Sequence, residues 1–268
     1  MDFKNFQYTK GDGVGAIMLC RPEKLNALTA EIWDEVGQVL DLIEKDEAVG
    51  SVLLCGQGKS FCAGFDLAQS TAHGNAEVWE QWDSLQAQRD IQLKMWDFPK
   101  PIVCAVQGYC LGGGFELAGL ADLVVAARDA TFGETEIRYS LLGQPNNIWL
   151  LGIRQAKEIM MLGEHFSAEE AHRIGFVNRV VPAEELFEHA HRMAEKLAKM
   201  PGETLRMLKR LLNKSVEAQG FKIMGDWGWD MFLLSKLMVT KSRKEFNRIA
   251  EEQGMKAAFA WSNERFGD

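Results

Sequence analysis

The chain has 268 residues, 47% of them hydrophobic, and a formal net charge of −8. That length and apolar content exclude a disordered chain and suffice for a sizeable core, while the acidic balance argues against nucleic acid as the main partner, because phosphate binding needs a basic face. No run approaches the roughly 18 apolar residues that span a bilayer, and the first ten residues (MDFKNFQYTK) lack the apolar core of a secretory signal, so a cytoplasmic protein is expected.

Residues 11–15 (GDGVG) come before a strand rather than after one, which excludes a dinucleotide fingerprint and leaves a turn. Residues 14–20 and 51–55 read as strands, and between them Ile32, Val36, Val39, Leu40 and Ile43 recur at helical spacing over residues 30–45. This is a β-α-β succession. A glycine-containing loop (residues 56–67) follows the second strand, and residues 78–96 form the next helix. The apolar run 101–106 (PIVCAV) is a buried strand, after which Gly112, Gly113 and Gly114 lead into a helix from residue 115; residues 123–127 (LVVAA) are a further strand. Strands alternating with helices predict an α/β architecture with largely parallel pairing.

Beyond Pro201 the pattern is helical only, over residues 204–218, 221–239 and 243–266. A boundary is expected near residue 200, dividing a core of residues 1–199 from a helical region of residues 200–268. The apolar content of that region (Trp227, Trp229, Met231, Phe232, Leu233, Leu234) exceeds what a few helices bury among themselves. It covers another surface, either a second subunit or the chain's own core.

Both glycine loops sit where backbone N–H groups lack partners and where a missing β-carbon lets a substrate oxygen reach the main chain. The alternative is tight turns and close helix packing. Two such loops, each following a strand, can supply one N–H apiece to a single oxygen. Three acidic residues come close to them in sequence. Glu116 lies in an apolar helix and either pairs with a buried cation or carries an altered pKa. Glu134 and Glu136 follow the LVVAA strand, in a region that builds sites in such sheets or simply faces solvent.

The remaining chemistry is sparse. His189 and His191 are two apart on a helix and diverge, and His73, His165 and His172 show no ligand spacing, so no metal is expected. Ser60, in GKSFCAG, lacks the elbow of a nucleophilic serine, and no cysteine has a histidine nearby in sequence. The five cysteines (Cys20, Cys55, Cys62, Cys104, Cys110) suit reduced thiols better than a disulfide framework. Arg21, Lys24 and Lys59 are either surface cations or partners for an anionic substrate handle.

Four pieces in order, residues 21–28 (RPEKLNAL), 60–67 (SFCAGFDL), 108–117 (GYCLGGGFEL) and 132–136 (FGETE), resemble the crotonase, or enoyl-CoA hydratase/isomerase, superfamily. Residues 161–181 continue the match, so the resemblance covers nearly the whole chain. It implies a crotonase-like ββα spiral with a C-terminal helical region that assembles trimers, commonly paired into hexamers. It also implies an acyl-CoA substrate, with no cofactor beyond the coenzyme A of that substrate. In that pattern the thioester oxygen lies between the N–H groups of Phe65 and Gly113. Lys24, Leu25, Ala63, Asp66, Leu67, Ala68 and Gly112 meet the substrate.

Hydratases of the family carry two glutamates where this chain has Glu116 and Glu136, and many isomerases keep only the second. The resemblance therefore implies hydration of a 2-enoyl-CoA, with an isomerase, a lyase, a hydrolase or a non-catalytic acyl-CoA-binding protein as alternatives. Glu134 is assigned to the rim or to a structural role. Thr135 replaces a common proline, and residues 142–149 (LGQPNNIW) replace a glycine-rich stretch that borders the acyl pocket in the family. Tyr139 and Trp149 would then flank an aromatic or branched acyl group, or merely pack.

Overall fold

The computed structural model describes residues 3–66 and 77–266. Nine strands are present among them: β1 (Phe6–Gly11), β2 (Val14–Leu19), β3 (Ser51–Gly56), β4 (Ile102–Val106), β5 (Tyr109–Leu111), β6 (Leu123–Ala127), β7 (Thr131–Gly133), β8 (Phe166–Ser167) and β9 (Arg179–Val181). They form a six-stranded sheet in the order β1-β2-β3-β4-β6-β9 and a three-stranded sheet in the order β5-β7-β8. All neighbours pair in parallel except β1 with β2 and β7 with β8.

The central strands are covered on both faces, which is why they read as unbroken apolar runs. Alternate residues divide between two cores. Val52, Leu54, Ile102, Cys104 and Val106 face the larger one with Ile32, Trp33, Val36 and Leu40 of the helix Ala30–Lys45. Leu53, Cys55, Val103, Ala105 and Val125 face Leu186, Ala190 and Ala194 of the helix Leu186–Ala198. All five cysteines are free thiols.

The turn expected at residues 11–15 is the hairpin joining β1 to β2, with Asp12 and Gly13 both at positive φ (52° and 77°), as a two-residue hairpin turn requires. The long helix expected over residues 243–266 is two helices, Lys241–Gln253 and Met255–Phe266, because Gly254 adopts φ 88° between them.

Among the described residues, helices alone follow residue 201: Gly202–Glu217, Phe221–Leu237 and the two just named. The apolar residues of Phe221–Leu237 divide between the chain's own core and the surface. Trp229, Phe232 and Leu233 pack on Leu85 and Leu141, whereas Trp227, Met231 and Leu234 are exposed. No helix among the described residues is long and apolar enough to cross a membrane.

Candidate active site

Three chain segments run side by side to form the site. Leu25 and Asn26 both take left-handed backbone (φ 49° and 56°) after the short turn Pro22–Lys24. That bend lets the Asn26 side chain accept from Arg21 N–H (2.9 Å) and donate to the carbonyls of Gln57 (2.9 Å) and Ser60 (2.8 Å). Next come Ala63 N–H to Leu25 O (2.9 Å), Leu28 N–H to Gly64 O (2.8 Å) and Asp66 N–H to Leu28 O (2.9 Å). On the opposite flank Cys62 N–H donates to Tyr109 O and Leu111 N–H to Cys62 O, each at 3.0 Å. Leu28 bridges Phe65 in parallel through the groups on either side of it, so the N–H of Phe65 itself turns away from Leu28, toward the segment that carries Gly112.

Asn26 is 1% exposed, so its removal strands two carbonyls and an amide in the interior. Asn26→Ala is expected to cost about 3 kcal/mol, read by urea unfolding; a change below about 1 kcal/mol would contradict this role.

The glycine run meets this ribbon directly. Gly112 has φ 49° and ψ −122°, and a β-carbon there would collide with the Glu136 carboxyl. Gly113 follows as the first residue of the helix Gly113–Gly119, pressed against the Phe65 ring. Among the described residues neither Phe65 N–H nor Gly113 N–H donates to a backbone acceptor. The Glu136 carboxyl lies beside this stretch, against Gly112.

One helical turn further on, Glu116 points into the same region. Glu116, Glu134 and Glu136 are 1%, 2% and 8% exposed, and one oxygen from each lies within 4.8 Å of the others. Glu116 Oε1 accepts from Gln144 N–H (2.8 Å), while Glu116 Oε2, Glu134 Oε1 and Glu136 Oε2 are buried without a partner. Burial, followed by the charge of Glu136, pushes the Glu116 pKa up to about 8 against the pull of the Gln144 N–H. Glu134 is driven well above the carboxylate range by burial and then by Glu136 and Glu116. Glu136 is also raised by burial, offset by a hydrogen bond from Glu134 and by backbone N–H groups that include Gly113. An all-oxygen set of this kind suits a hard cation, and it is the only group with that spacing among the described residues.

Of the two places the sequence offered Glu134, the rim or a structural role, the rim is excluded. Glu134 is interior, and Gly143 lacks a side chain where the Glu134 carboxyl lies.

The raised Glu116 pKa has a consequence for stability. The folded protein retains a proton that the unfolded chain releases above 4.5, so the contribution of Glu116 is full below 4.5 and is lost as pH rises toward 8. The unfolding temperature should fall across that window, and Glu116→Gln should flatten the fall; identical slopes in the two proteins would contradict it.

A cavity of about 520 Å³ opens in front of the site. Lys24, Leu25, Ala63, Phe65, Asp66, Gly112 and Glu136 line it. Gly113 and Glu116 are not on its wall but sit against residues that are. Leu67, Ala68 and His73 lie outside the described residues. Arg21 is engaged with Asp66 (3.2 Å) and Ala27 O (2.6 Å) rather than offered to the cavity, and Lys59 is not among its lining residues. Tyr139 lines it as expected, whereas Trp149 packs on the main core and residues 142–149 do not reach the wall. The apolar part of the wall, missed from sequence, is Leu141, Phe232, Met255 and Phe259.

The family model described as enoyl-CoA hydratase/isomerase matches residues 9–254. The chain belongs to the enoyl-CoA hydratase/isomerase family. Its likeness extends to a crystal structure of an enoyl-CoA hydratase/isomerase from Xanthobacter autotrophicus Py2, at TM-score 0.95 and 33% identity over 100% of both chains. That match agrees with the crotonase-like spiral and C-terminal helical region inferred from the motifs. In sequence, the chain is 36% identical to "Probable enoyl-CoA hydratase, mitochondrial" of Dictyostelium discoideum over 76% of this chain and 73% of that one. It is 32% identical to the 1,2-epoxyphenylacetyl-CoA isomerase of Escherichia coli over 76% and 79%. Family members thus carry both hydratase and isomerase names.

Proposed function

We propose that this enoyl-CoA hydratase/isomerase family member adds water to a 2-enoyl-CoA, giving the 3-hydroxyacyl-CoA. The observation that carries the reading is the buried pair Glu116 and Glu136, each with an unpartnered oxygen and with carboxyl oxygens within 4.8 Å of one another, Glu136 on the cavity wall. Between them the two carboxyls hold the water. One accepts its proton as the hydroxyl adds to Cβ, and a proton from the pair goes to Cα. Negative charge meanwhile builds on the thioester oxygen, for which the N–H groups of Phe65 and Gly113 are the proposed donors.

Lys24, Leu25, Ala63 and Asp66 would hold the coenzyme A portion at the polar side of the cavity. Incubation with crotonyl- and cinnamoyl-type CoA esters, followed by product analysis, tests the reading. Hydrated product is expected, and double-bond migration without hydration would overturn it.

A second reading, an isomerase acting on a ring-bearing acyl-CoA, is favoured by the aromatic wall of Tyr139, Phe232 and Phe259 and by the similarity to the phenylacetyl-CoA-type isomerase. The family reading also expects a homo-oligomer. The exposed Met207, Leu211, Trp227 and Met231 supply an apolar face for a second copy. Light scattering should give a trimer or hexamer; a monomer at micromolar concentration would contradict it.

A further inference from the structure

We propose that the buried amides of Gln92, Gln144 and Asn146 form a seam that carries water to Glu116 from the side opposite the acyl-CoA. The proposal rests on the hydratase reading, in which each turnover consumes one water while the ester fills the cavity in front. Glu116 is not on that cavity's wall, and its Oε2 is buried without a partner among the described residues. Against it lies the segment 142–149, which stands where the family pattern is rich in glycine.

The amides of this segment are set in a row. Gln144 N–H donates to Glu116 Oε1 at 2.8 Å. Two residues on, in the turn Pro145–Asn147, Asn146 Nδ2 donates to Gln92 Oε1 of the helix Val78–Trp96 at 3.2 Å. The helix Phe221–Leu237 covers the row with two glycines one turn apart. A β-carbon at Gly228 would collide with Gln144 Oε1, and one at Gly225 would meet only Asn146 Oδ1, at 3.6 Å. Glycine weakens a helix interior, yet at these positions it leaves room beside the amides. At the outer end Arg89, one turn before Gln92, pairs with Asp226, the neighbour of Gly225, and Asp226 is half exposed, so the row reaches solvent.

Gln92, Gln144 and Asn146 are each at least nine-tenths buried. Gln92 Nε2 and both side-chain amide atoms of Gln144 have no partner among the described residues. Buried polar atoms that no protein group reaches are satisfied by ordered water, which makes about three hydrogen bonds in such places. Waters on these atoms form a file from the Arg89 end to the Glu116 carboxyl. No bond changes along it; the file delivers the water that Glu116 and Glu136 hold.

Hydration of crotonyl-CoA by Gln92→Leu and Gln92→Ser tests the seam. Leucine fills the site but offers water no hydrogen bond, so kcat should fall about tenfold or more with KM within about twofold. Serine keeps a hydroxyl and leaves space for a further water, so kcat should stay within about threefold of the parent. A packing role alone predicts the reverse order, because serine would leave a cavity. That order, or Gln92→Leu turning over at the parent rate, would overturn the proposal. A second readout needs no substrate: a high-resolution crystal structure of the resting protein should show ordered water about 3 Å from the Gln144 amide and Gln92 Nε2, displaced in Gln92→Leu. A dry seam would overturn the proposal even where hydration is observed, whereas a wet seam in a protein that hydrates no ester would overturn the hydratase reading and the seam's role with it.

Discussion

Glu136→Gln and Glu116→Gln should each lower kcat for enoyl-CoA hydration by about 10³- to 10⁴-fold while changing KM by less than about threefold. Both substitutions keep volume and remove only the ability to exchange a proton. At position 116 the glutamine oxygen can still accept from Gln144 N–H, so the loop that carries Gln144 keeps its anchor. At position 136 the carboxyl lies on the cavity wall against Gly112, and an amide occupies the same space. The loss therefore appears in the chemical step and not in binding. Single-turnover kinetics with a cinnamoyl-type ester would resolve it. Full activity in either variant would remove that carboxyl from the mechanism.

Gly112→Ala should abolish turnover, with kcat down by about 10³-fold or more, the loss attending removal of one oxyanion donor. Two independent faults coincide at this position. The backbone there (φ 49°, ψ −122°) is one that residues with a β-carbon reach only at a cost of about 1–3 kcal/mol. The added carbon would also strike the Glu136 carboxyl, so that carboxyl and the neighbouring Gly113 N–H are displaced together. Gly175 is the control. It too has positive φ (86°), but a β-carbon there meets nothing within 4 Å. Gly175→Ala should cost about 1 kcal/mol of stability and leave kcat unchanged. Comparable activity losses in the two variants would mean that backbone strain, and not the collision with Glu136, explains the Gly112 effect.

The parts of this molecule that were legible in sequence are those whose signal is local. The helix Ala30–Lys45 and the strands β3, β4 and β6 announce themselves through periodicity and apolar runs bounded by turn residues. β1 does not: its residues are mostly polar and exposed, and only its pairing with β2 makes it a strand. β5, β7 and β8 hold two or three residues each, too short for any period to register.

The same division runs through the site. Lys24, Ala63, Phe65, Gly112 and Glu136 sit in motifs that mark them, and they meet at one cavity. Phe232, Met255 and Phe259 carry no mark, because they reach that cavity from helices more than 90 residues further along the chain. The burial of Glu134 was not legible for another reason. Its environment comes from Gly143 and Glu116, which local sequence does not place beside it.

The most direct test of the account is turnover of a 2-enoyl-CoA in water enriched in ¹⁸O and deuterium, with the product read by mass spectrometry. The account predicts one ¹⁸O at Cβ and one non-exchanging deuterium at Cα, both lost in Glu116→Gln and Glu136→Gln. A product of unchanged oxygen content with a shifted double bond, or full incorporation in either glutamine variant, would contradict it.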